Sequence, residues 1–277
     1  MRELARLLAR GKESDPETYL RAYRLAGVLA RSASWLPIPL WRLLQFFRSD
    51  KHMPGWHRYG HTYGALFRRL KYRRVKLLEI GIGGYQASLG GHSLLAWQAF
   101  FPRGTVVAAD IVPKQALGGR RRRVRQLDQS SAEDLAELCR QEAPFDIIID
   151  DGSHLSAHQI HTFERLFGAL CEGGVYVVED VQTSFWPGRV AGTETEWDGA
   201  HLTDPRFRQT CYGYFLELAK YLNHAEFVDH EGVDTRLLGL ARDITRVAFE
   251  HNLIIVWKGE NQYASAFVGR DARPPRG

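Results

Sequence analysis

The 277-residue sequence predicts a doubly wound, mostly parallel α/β sheet preceded by a helical extension. Three observations lead to this fold class. From residue 74 onward, apolar runs of strand length alternate with helical patterns. Two of those runs end abruptly in carboxylates, at Asp150 and Glu179; apolar strands of this kind are buried in parallel sheets, and ligands lie outside their carboxyl ends. The last two apolar runs flank a short polar turn, which indicates a closing antiparallel hairpin.

Each element follows from its local pattern. Strands are predicted at residues 75–80, 105–110, 122–127, 145–150 and 175–178, and the hairpin at 246–249 and 253–257, which makes a seven-stranded sheet. Helices are predicted at 93–100, at 132–141 and over roughly 207–223. One more helix is indicated by apolar residues at helical spacing, and we expect it to end at Gly173-Gly174; these residues are Ile160, Phe163, Phe167 and Leu170.

The first 48 residues are expected to form a helical extension to a main domain of residues 49–277. Arginine-rich helical patterns fill this extension, and Gly11, Pro37 and Pro39 interrupt them. Residues 33–47 are apolar and aromatic with a basic flank, a composition that also suits a segment lying on a membrane surface. We expect this segment to pack instead, against the main domain or a second subunit, and we expect a homo-oligomer.

Composition narrows the class of protein. With 44% hydrophobic and 25% charged residues, the chain has the make-up of an ordinary soluble globular protein. Its three cysteines lack any Cys-x-x-Cys pair and imply neither a disulfide framework nor a zinc site. No secretory signal or membrane-spanning run is visible, so we expect a bacterial cytoplasmic protein without stable membrane insertion.

The net charge of +5 raises the alternative of a nucleic-acid binder. Much of the excess lies in the arginine run of residues 120–123. Because no aromatic residues are interleaved with this run, we expect it to be a solvated loop, and we expect no nucleic-acid partner.

A glycine turn follows the first predicted strand, in the piece Glu79-Ile-Gly-Ile-Gly-Gly84. Gly81 and Gly83 permit a tight turn and a close approach of the backbone to a ligand. A nicotinamide-binding fingerprint would need a glycine at position 86, where this chain has Gln86. The acid two residues before the first glycine favours a cationic cofactor, because it can balance an ammonium or a sulfonium.

Acids also end the next strands. Asp110 is placed to accept the hydroxyls of a ribose, and Asp128 to meet the exocyclic amine of an adenine. With Glu79 and Asp150, these residues place one acid at the end of each of four strands. A single Gly-x-Gly is a weak signal, and a bare glycine turn remains the alternative. The four acids together make S-adenosylmethionine the leading candidate cofactor.

A second group of polar residues indicates a metal site. Asp150 and Asp151 end one strand, Glu179 and Asp180 end another, and His154 follows Asp151 by three positions. Carboxylates are the ligands of hard metal ions, and a neighbouring imidazole can act as a general base. Alternatively, the acids cap the helices that follow. We favour the metal, because uncompensated acids at one sheet edge repel each other and need a cation.

Several pieces of the chain together resemble the metal-dependent sugar O-methyltransferases of macrolide biosynthesis, of the mycinamicin and macrocin type. The resemblance covers roughly residues 49–262. The pieces are Glu79–Gly84, Gly91-His-Ser-Leu94, Asp128-Gln-Ser130, Ile149-Asp-Asp-Gly-Ser-His154 and Val178-Glu-Asp-Val-Gln-Thr-Ser-Phe-Trp-Pro187, with Asp50-Lys51, His61 and Tyr63 upstream and Lys258-Gly-Glu-Asn261 downstream.

The resemblance implies a Rossmann-like class I methyltransferase fold and methyl transfer from S-adenosylmethionine to a sugar hydroxyl. It implies Mg²⁺, replaceable by Mn²⁺, bound by Asp151, Glu179 and Asp180, with His154 as general base. Contacts to the sugar are expected from His61, Tyr63 and Trp186. The expected cofactor contacts are Glu79, Gly81, Gly83, Ser93, Asp110, Asp128, Gln129 and Asp150.

The identity of the acceptor stays open. One candidate is the sugar of a glycosylated natural product. Another is a methylated mannose or rhamnose oligosaccharide or a glycolipid. A nucleic-acid methyltransferase is the more distant alternative.

Overall fold

The computed structural model describes residues 15–84, 89–189, 196–229 and 231–268. The chain divides into two compact units, Met1–Gly152 and Ser153–Gly277. The first unit contains α1 (Pro16–Ala33), α2 (Leu40–Phe46), α3 (Tyr59–Phe67), β1 (Lys76–Ile80), α4 (His92–Phe100), β2 (Thr105–Asp110), β3 (Arg122–Gln126), α5 (Ala132–Glu142) and β4 (Phe145–Asp150). The second contains α6 (Ser156–Leu166), β5 (Leu170–Glu179), β6 (Pro187–Arg189), β7 (Glu196–Asp198), α7 (Cys211–Lys220), α8 (Thr235–Ala241), β8 (Ile244–Glu250) and β9 (Leu253–Lys258).

In the first unit, four parallel strands follow the order β3-β2-β1-β4. β1 is central, and its Ile80 lies opposite Ala109 of β2 and Asp150 of β4. Nearly all of its side chains are buried, in keeping with the apolar run that predicted it. Because parallel strands end at the same edge, the residues after β1 lie between the ends of β2 and β4.

The second unit has the predicted closing hairpin. β5 pairs antiparallel with β9, and β9 pairs antiparallel with β8. Helices α6 and α7 contribute aromatic rings to the core, where Phe163 packs against Tyr176 and Phe215 at ring-centroid distances of 5.1 and 4.7 Å. β6 and β7 form a separate two-stranded sheet.

The predicted end of the helix at Gly173-Gly174 is wrong. Helix α6 ends at Leu166, and Leu170 already opens β5, which contains both glycines. The reason lies far along the chain, at Lys258. Its ammonium donates hydrogen bonds to the carbonyl oxygens of Gly168 (3.0 Å) and Leu170 (2.9 Å), which fixes the turn between helix and strand.

Helix α1 is defined by its N-terminus and its buried face. The Asp15 side chain accepts a hydrogen bond from the Thr18 backbone, and a proline follows at the first helical position. Its buried residues recur every three or four positions, as in Tyr19, Tyr23 and Ala26, and this face packs on α4. Within the described residues, no helix combines the length and apolar composition needed to cross a bilayer.

Packing also accounts for part of the apolar segment before residue 48, chiefly its second half. Leu40, Leu44 and Phe47 are buried, whereas Trp35 and Leu36 are exposed. Packing was the expected alternative for this segment, and these three residues confirm it. The boundary between an extension and a main domain at residue 48 stays a prediction.

The arginine run of residues 120–123 is only partly the solvated loop that we expected: Arg120 and Arg123 are exposed, but Arg121 and Arg122 are engaged within the fold. Arg122 is 4% exposed, with its guanidinium over the Tyr23 ring at 5.0 Å and a hydrogen bond to Gln98. Arg121 donates to the carbonyl oxygens of Phe101 and Gly104, at 2.7 Å each. These guanidinium groups donate hydrogen bonds to acceptors around the end of α4 and thereby stabilise the fold.

Candidate active site

The turn after β1 depends on glycine. Gly81 and Gly83 have φ values of +76° and +64°, in the left-handed region that favours glycine. A Cβ placed on Gly81 would lie 1.9 Å from the carbonyl oxygen of Asp151. A Cβ on Gly90 would lie 2.2 Å from the carbonyl oxygen of Gly83. The backbone is therefore closely packed at Gly81 and Gly90, which holds the turn in place.

A cavity of about 130 Å³ opens beside this turn. Ile82, Gly83 and Gly84 line one part of it, and Gly90, His92 and Ser93, around the start of α4, line another. Arg48, Asp50 and Asp151 bring charge to its wall. A cavity between a glycine turn and charged side chains is suited to a polar ligand.

Glu79 is 0% exposed at the end of β1. It accepts hydrogen bonds from Ser93 Oγ (2.8 Å) and Trp97 Nε1 (3.0 Å), and Lys51 Nζ lies 3.2 Å from Oε1. Burial raises the pKa of Glu79, and Lys51 with the hydrogen bonds opposes this shift. The predicted partner of a cationic cofactor is therefore already ion-paired within the protein.

Lys51 joins two of the predicted site residues. It is buried, and its Nζ lies 2.5 Å from Oδ2 of Asp151 as well as beside Glu79. Only the Asp50-Lys51 piece of the family resemblance pointed to this residue. Local pattern carries no signal for it, because its partners lie 28 and 100 positions away along the chain.

Asp110 braces the glycine turn. Oδ2 accepts hydrogen bonds from the Ile82 backbone (3.1 Å) and from Lys114 Nζ (2.8 Å), and Oδ1 accepts from the Val112 backbone (2.9 Å). Lys114 also donates to the carbonyl oxygen of Gly83. The sequence singled out Asp110 and missed Lys114, although a spacing of four residues from the acid was the available signal. A contact from Asp110 to a ribose stays a prediction.

The residues after β3 and β4 form a second acidic group. Asp128 Oδ1 accepts hydrogen bonds from the backbone (2.8 Å) and hydroxyl (2.6 Å) of Ser130, as in an Asx turn. Gln129 Nε2 donates to Oδ1 of the buried Asp150 at 3.2 Å. A Cβ on Gly152 would lie 1.9 Å from Gln129 Oε1, so the amide packs tightly against the backbone after β4. Cofactor contacts from these residues stay predictions.

In the second unit, His154 and Asp180 share an unusual backbone conformation. Their φ values are +59° and +55°, in the left-handed region, which costs a residue other than glycine about 1–3 kcal/mol. His154 Nε2 lies 3.8 Å from Asp180 Oδ2. The Thr183 hydroxyl donates to the carbonyl oxygens of both residues, at 2.8 and 3.3 Å. Thr183 therefore holds the two strained residues together, a role that the sequence did not reveal.

Glu179 is the last residue of β5, and it is buried. Gln159 of α6 donates a hydrogen bond to its backbone carbonyl at 2.9 Å. In a regular strand, successive side chains point to opposite faces of the sheet. The left-handed backbone of Asp180 ends this alternation, so Glu179 and Asp180 are not forced onto opposite faces.

The three residues expected to contact a sugar have different surroundings. His61 is exposed, and its ring lies near those of Trp41 and His52, at centroid distances of 5.6 and 4.8 Å. Trp186, in the second unit, is 39% exposed. Tyr63 is 0% exposed and packs on Phe67, Trp97 and Tyr59. We therefore assign Tyr63 to the aromatic core and keep only the other two as candidates for sugar contact.

No family model matches the chain. In sequence, it is 35% identical over 246 residues to the 8-demethyl-8-(2-methoxy-alpha-L-rhamnosyl)-tetracenomycin-C 3'-O-methyltransferase of Streptomyces olivaceus. This match covers 88% of this chain and 59% of the relative. It is 39% identical over 210 residues to the mycinamicin VI 2''-O-methyltransferase of Micromonospora griseorubida, and this match covers 74% of this chain and 49% of the relative. The chain thus spans about half the length of the curated relatives it matches.

A solved structure is similar as well. The MycE methyltransferase from the mycinamycin biosynthetic pathway, in complex with Mg, SAH and mycinamycin VI, has a TM-score of 0.72 at 32% sequence identity. The match covers 85% of this chain and 58% of that chain. At this identity the likeness confirms the predicted fold class, a doubly wound and mostly parallel seven-stranded sheet.

Proposed function

The chain belongs to the family of sugar O-methyltransferases of the mycinamicin and macrocin type, and we propose that it transfers a methyl group from S-adenosylmethionine to a sugar hydroxyl of a saccharide or glycoside. The observation that carries this proposal is an identity of 35–39% to five curated O-methyltransferases whose names specify natural-product acceptors. Those relatives are longer than this chain, so the complete methyl-transfer activity is itself part of the proposal.

The cofactor we propose fits the turn after β1. SAH, which MycE binds, is the product that remains when S-adenosylmethionine has lost its methyl group. The left-handed backbone of Gly81 and Gly83 turns tightly after β1, and an added Cβ at Gly83 would meet nothing within 4 Å among the described residues, so the turn forms a cradle that a nucleoside can approach closely. The acids at the ends of β2 and β3, Asp110 and Asp128, are our candidates for the ribose and the adenine.

The metal we propose is Mg²⁺, with Mn²⁺ as a substitute, held by Asp151, Glu179 and Asp180. Three carboxylates make a hard oxygen donor set, which suits either ion. When bound, the ion supplies positive charge that stabilises the negative charge developing on the acceptor oxygen. Asp151 precedes the proposed base by only three residues, so covalent geometry keeps their Cα atoms within about 11 Å of each other.

His154 is the proposed general base. A sugar hydroxyl is a poor nucleophile at neutral pH, so a group that removes its proton during attack accelerates the reaction. The oxygen attacks the methyl carbon in line with the departing sulfur, and the products are an O-methyl sugar, SAH and a proton on the imidazole. The hydrogen bond from Thr183 to the His154 carbonyl oxygen fixes the backbone that carries the ring.

The acceptor we propose is a deoxysugar such as a rhamnosyl group. Two relatives are named for rhamnosyl substrates, and MycE was solved in complex with mycinamycin VI. His61 and Trp186 are the proposed sugar contacts. An aromatic face packs well against the C–H face of a sugar ring, and the partial exposure of Trp186 leaves room for such a contact.

The nucleic-acid alternative finds less support at the arginine run, since Arg121 and Arg122 are engaged within the fold. A homo-oligomeric state and a location in the bacterial cytoplasm stay predictions.

The test is a methyl-transfer assay with labelled S-adenosylmethionine on a panel of acceptors. The panel contains rhamnosylated and macrolide glycosides, their aglycones, mannose and rhamnose oligosaccharides, and RNA. We expect label only in acceptors with a free sugar hydroxyl, and only with Mg²⁺ or Mn²⁺ present. Labelling of RNA or of aglycones at a comparable rate would contradict the proposal.

A further inference from the structure

Two charged residues in the wall of the cavity have no role in the chemistry described above. Arg48 and Asp50 lie two positions apart and carry opposite charges. Both line the cavity beside the glycine turn, together with Gly83 and Ser93. Both also act electrostatically on the ring of His92, another residue of the wall, with opposite effects on its pKa.

The segment that carries these charges is fixed in place. The His92 ring donates through Nδ1 to the carbonyl oxygen of Phe47, at 2.8 Å. The backbone N–H of Lys51 donates to Asp50 Oδ1 at 2.9 Å. Arg48 itself has a φ of +60°, a strained conformation that persists only where the surroundings impose it. The segment therefore presents its charges from a rigid backbone.

The position of the cavity indicates which end of a cofactor it receives. In the order β3-β2-β1-β4, Asp110 and Asp128 end strands on one side of β1, whereas Asp151 follows the strand on its other side. Among the described residues that line the cavity, Asp151 is present and Asp110 and Asp128 are not. A cofactor with its adenosine at the ends of β2 and β3 would thus extend its other end into this cavity.

The acid expected to balance the cofactor's ammonium is not open to the cavity. Glu79 is fully buried, and Lys51 already neutralises it. Asp50, by contrast, is exposed at the cavity wall. An arginine fork matches the geometry of a carboxylate, and a carboxylate accepts the hydrogen bonds of an ammonium.

We propose that Arg48 and Asp50 bind the two charges of the methionine end of S-adenosylmethionine, Arg48 its α-carboxylate and Asp50 its α-ammonium. The inference rests on the proposed function for the identity of the cofactor. A ligand with one charge would leave either Arg48 or Asp50 without a counterpart, whereas the zwitterion complements both. Arg48 and Asp50 thereby determine the specificity for a cofactor that retains its amino acid.

The test compares two ligands that differ only at that end. SAH carries the α-amino carboxylate, and 5′-methylthioadenosine has the same nucleoside and thioether without it. Both are titrated by calorimetry into the full chain with Mg²⁺ present. For Arg48→Gln and Asp50→Asn we expect SAH to bind about 10-fold more weakly, the loss of one charge-assisted hydrogen bond, and 5′-methylthioadenosine to bind within about twofold of wild type.

The variants are chosen to preserve the backbone. Asparagine at position 50 keeps an oxygen that can accept from the Lys51 N–H. Arg42→Gln is the matched control, because Arg42 is an exposed arginine of α2 outside the lining of the cavity. It should leave the affinity for both ligands unchanged.

Three outcomes of these titrations would overturn the inference. Unchanged SAH affinity in both variants overturns the inference and leaves the proposed function intact. An equal loss for both ligands also overturns it, because the effect would then come from a disturbed turn. A wild-type chain that binds neither ligand overturns the proposed function, and the inference with it.

Discussion

The Lys51 ammonium lies 2.5 Å from Oδ2 of Asp151, although the two residues are 100 positions apart. Lys51 Nζ also lies 3.2 Å from Glu79 Oε1, and the lysine side chain is 2% exposed. A buried ammonium is tolerated only when it is paired, so these two acids and the lysine depend on one another. Lys51 therefore joins the acid of the glycine turn to an acid proposed to bind the metal.

Removing that charge should destabilise the protein. We expect Lys51→Met to lower the free energy of unfolding by about 3–5 kcal/mol, because two acids would remain without their counter-charge. Chemical denaturation measures the effect. Lys220→Met removes an exposed lysine paired with Glu217 and should cost at most about 1 kcal/mol. Equal losses for the two variants would show that burial of Lys51 contributes nothing.

Gly81 should not tolerate alanine. A Cβ there would meet the Asp151 carbonyl oxygen at 1.9 Å, on a backbone with a φ of +76°. We expect Gly81→Ala to destabilise the chain by more than about 1 kcal/mol, the strain of the left-handed backbone alone, and to abolish SAH binding. Gly64→Ala is the control, since its Cβ would meet nothing within 4 Å in helix α3. Alanine there should stabilise the helix by about 0.5–1 kcal/mol. SAH affinity retained in Gly81→Ala would contradict the proposed cradle.

Helix α1 should support the wall of the cavity at Gly90 and Gly91 through two tyrosines. Tyr19 donates to the Gly90 carbonyl oxygen at 2.6 Å, and Tyr23 donates to that of Gly91 at 2.8 Å. We expect Tyr19→Phe and Tyr23→Phe each to cost about 1 kcal/mol of stability. Calorimetry should also show weaker SAH binding, because Gly90 packs on the glycine turn. Tyr263→Phe, at an exposed tyrosine, should change neither quantity. If the two tyrosine variants lose stability but keep full SAH affinity, α1 has no part in positioning Gly90 and Gly91.

The pH dependence of stability should reflect Glu142, whose contribution is present at neutral pH and lost in acid. Burial raises the pKa of this carboxyl, but hydrogen bonds and charge attraction from Arg125 and Arg123 outweigh burial and hold the pKa below its usual value of 4.5. A depressed pKa stabilises the fold above the unfolded value, and this contribution is lost as pH falls through the folded value. Glu142→Gln should therefore cost about 1–3 kcal/mol at pH 7 and less at pH 3. Denaturation at both pH values measures this, and a deficit that stays constant would rule out the linkage.

His154 should be needed for chemistry and not for cofactor binding. We expect His154→Ala to slow methyl transfer by about 10²–10⁴-fold, the usual contribution of a general base, while SAH affinity is retained. His251→Ala, at an exposed turn between β8 and β9, should transfer methyl groups at the wild-type rate. Chelation of the metal should likewise stop turnover and spare SAH binding. Transfer by His154→Ala at near the wild-type rate would exclude its role as base.

Local patterns predicted most of the fold. The apolar runs located β1, β2 and β4 within one residue, and the hairpin of β8 and β9 was recognised as antiparallel. The end of α6 was misjudged, because it depends on Lys258 and not on the nearby glycines. Arg122 was assigned to solvent because a run of arginines does not reveal Tyr23, which is about 100 positions away.

The sequence by itself determined the α/β alternation, the glycine turn and the acids at the strand ends. These features follow from periodicity and backbone preference, which are properties of neighbouring residues. Only the tertiary structure decided which charges are already paired. Glu79 proved to be bound by Lys51, and Tyr63 proved to be a core residue. Burial and ion pairing join residues far apart in the chain. Only the folded structure therefore shows that Glu79 is buried and paired, whereas Arg48 and Asp50 line the cavity.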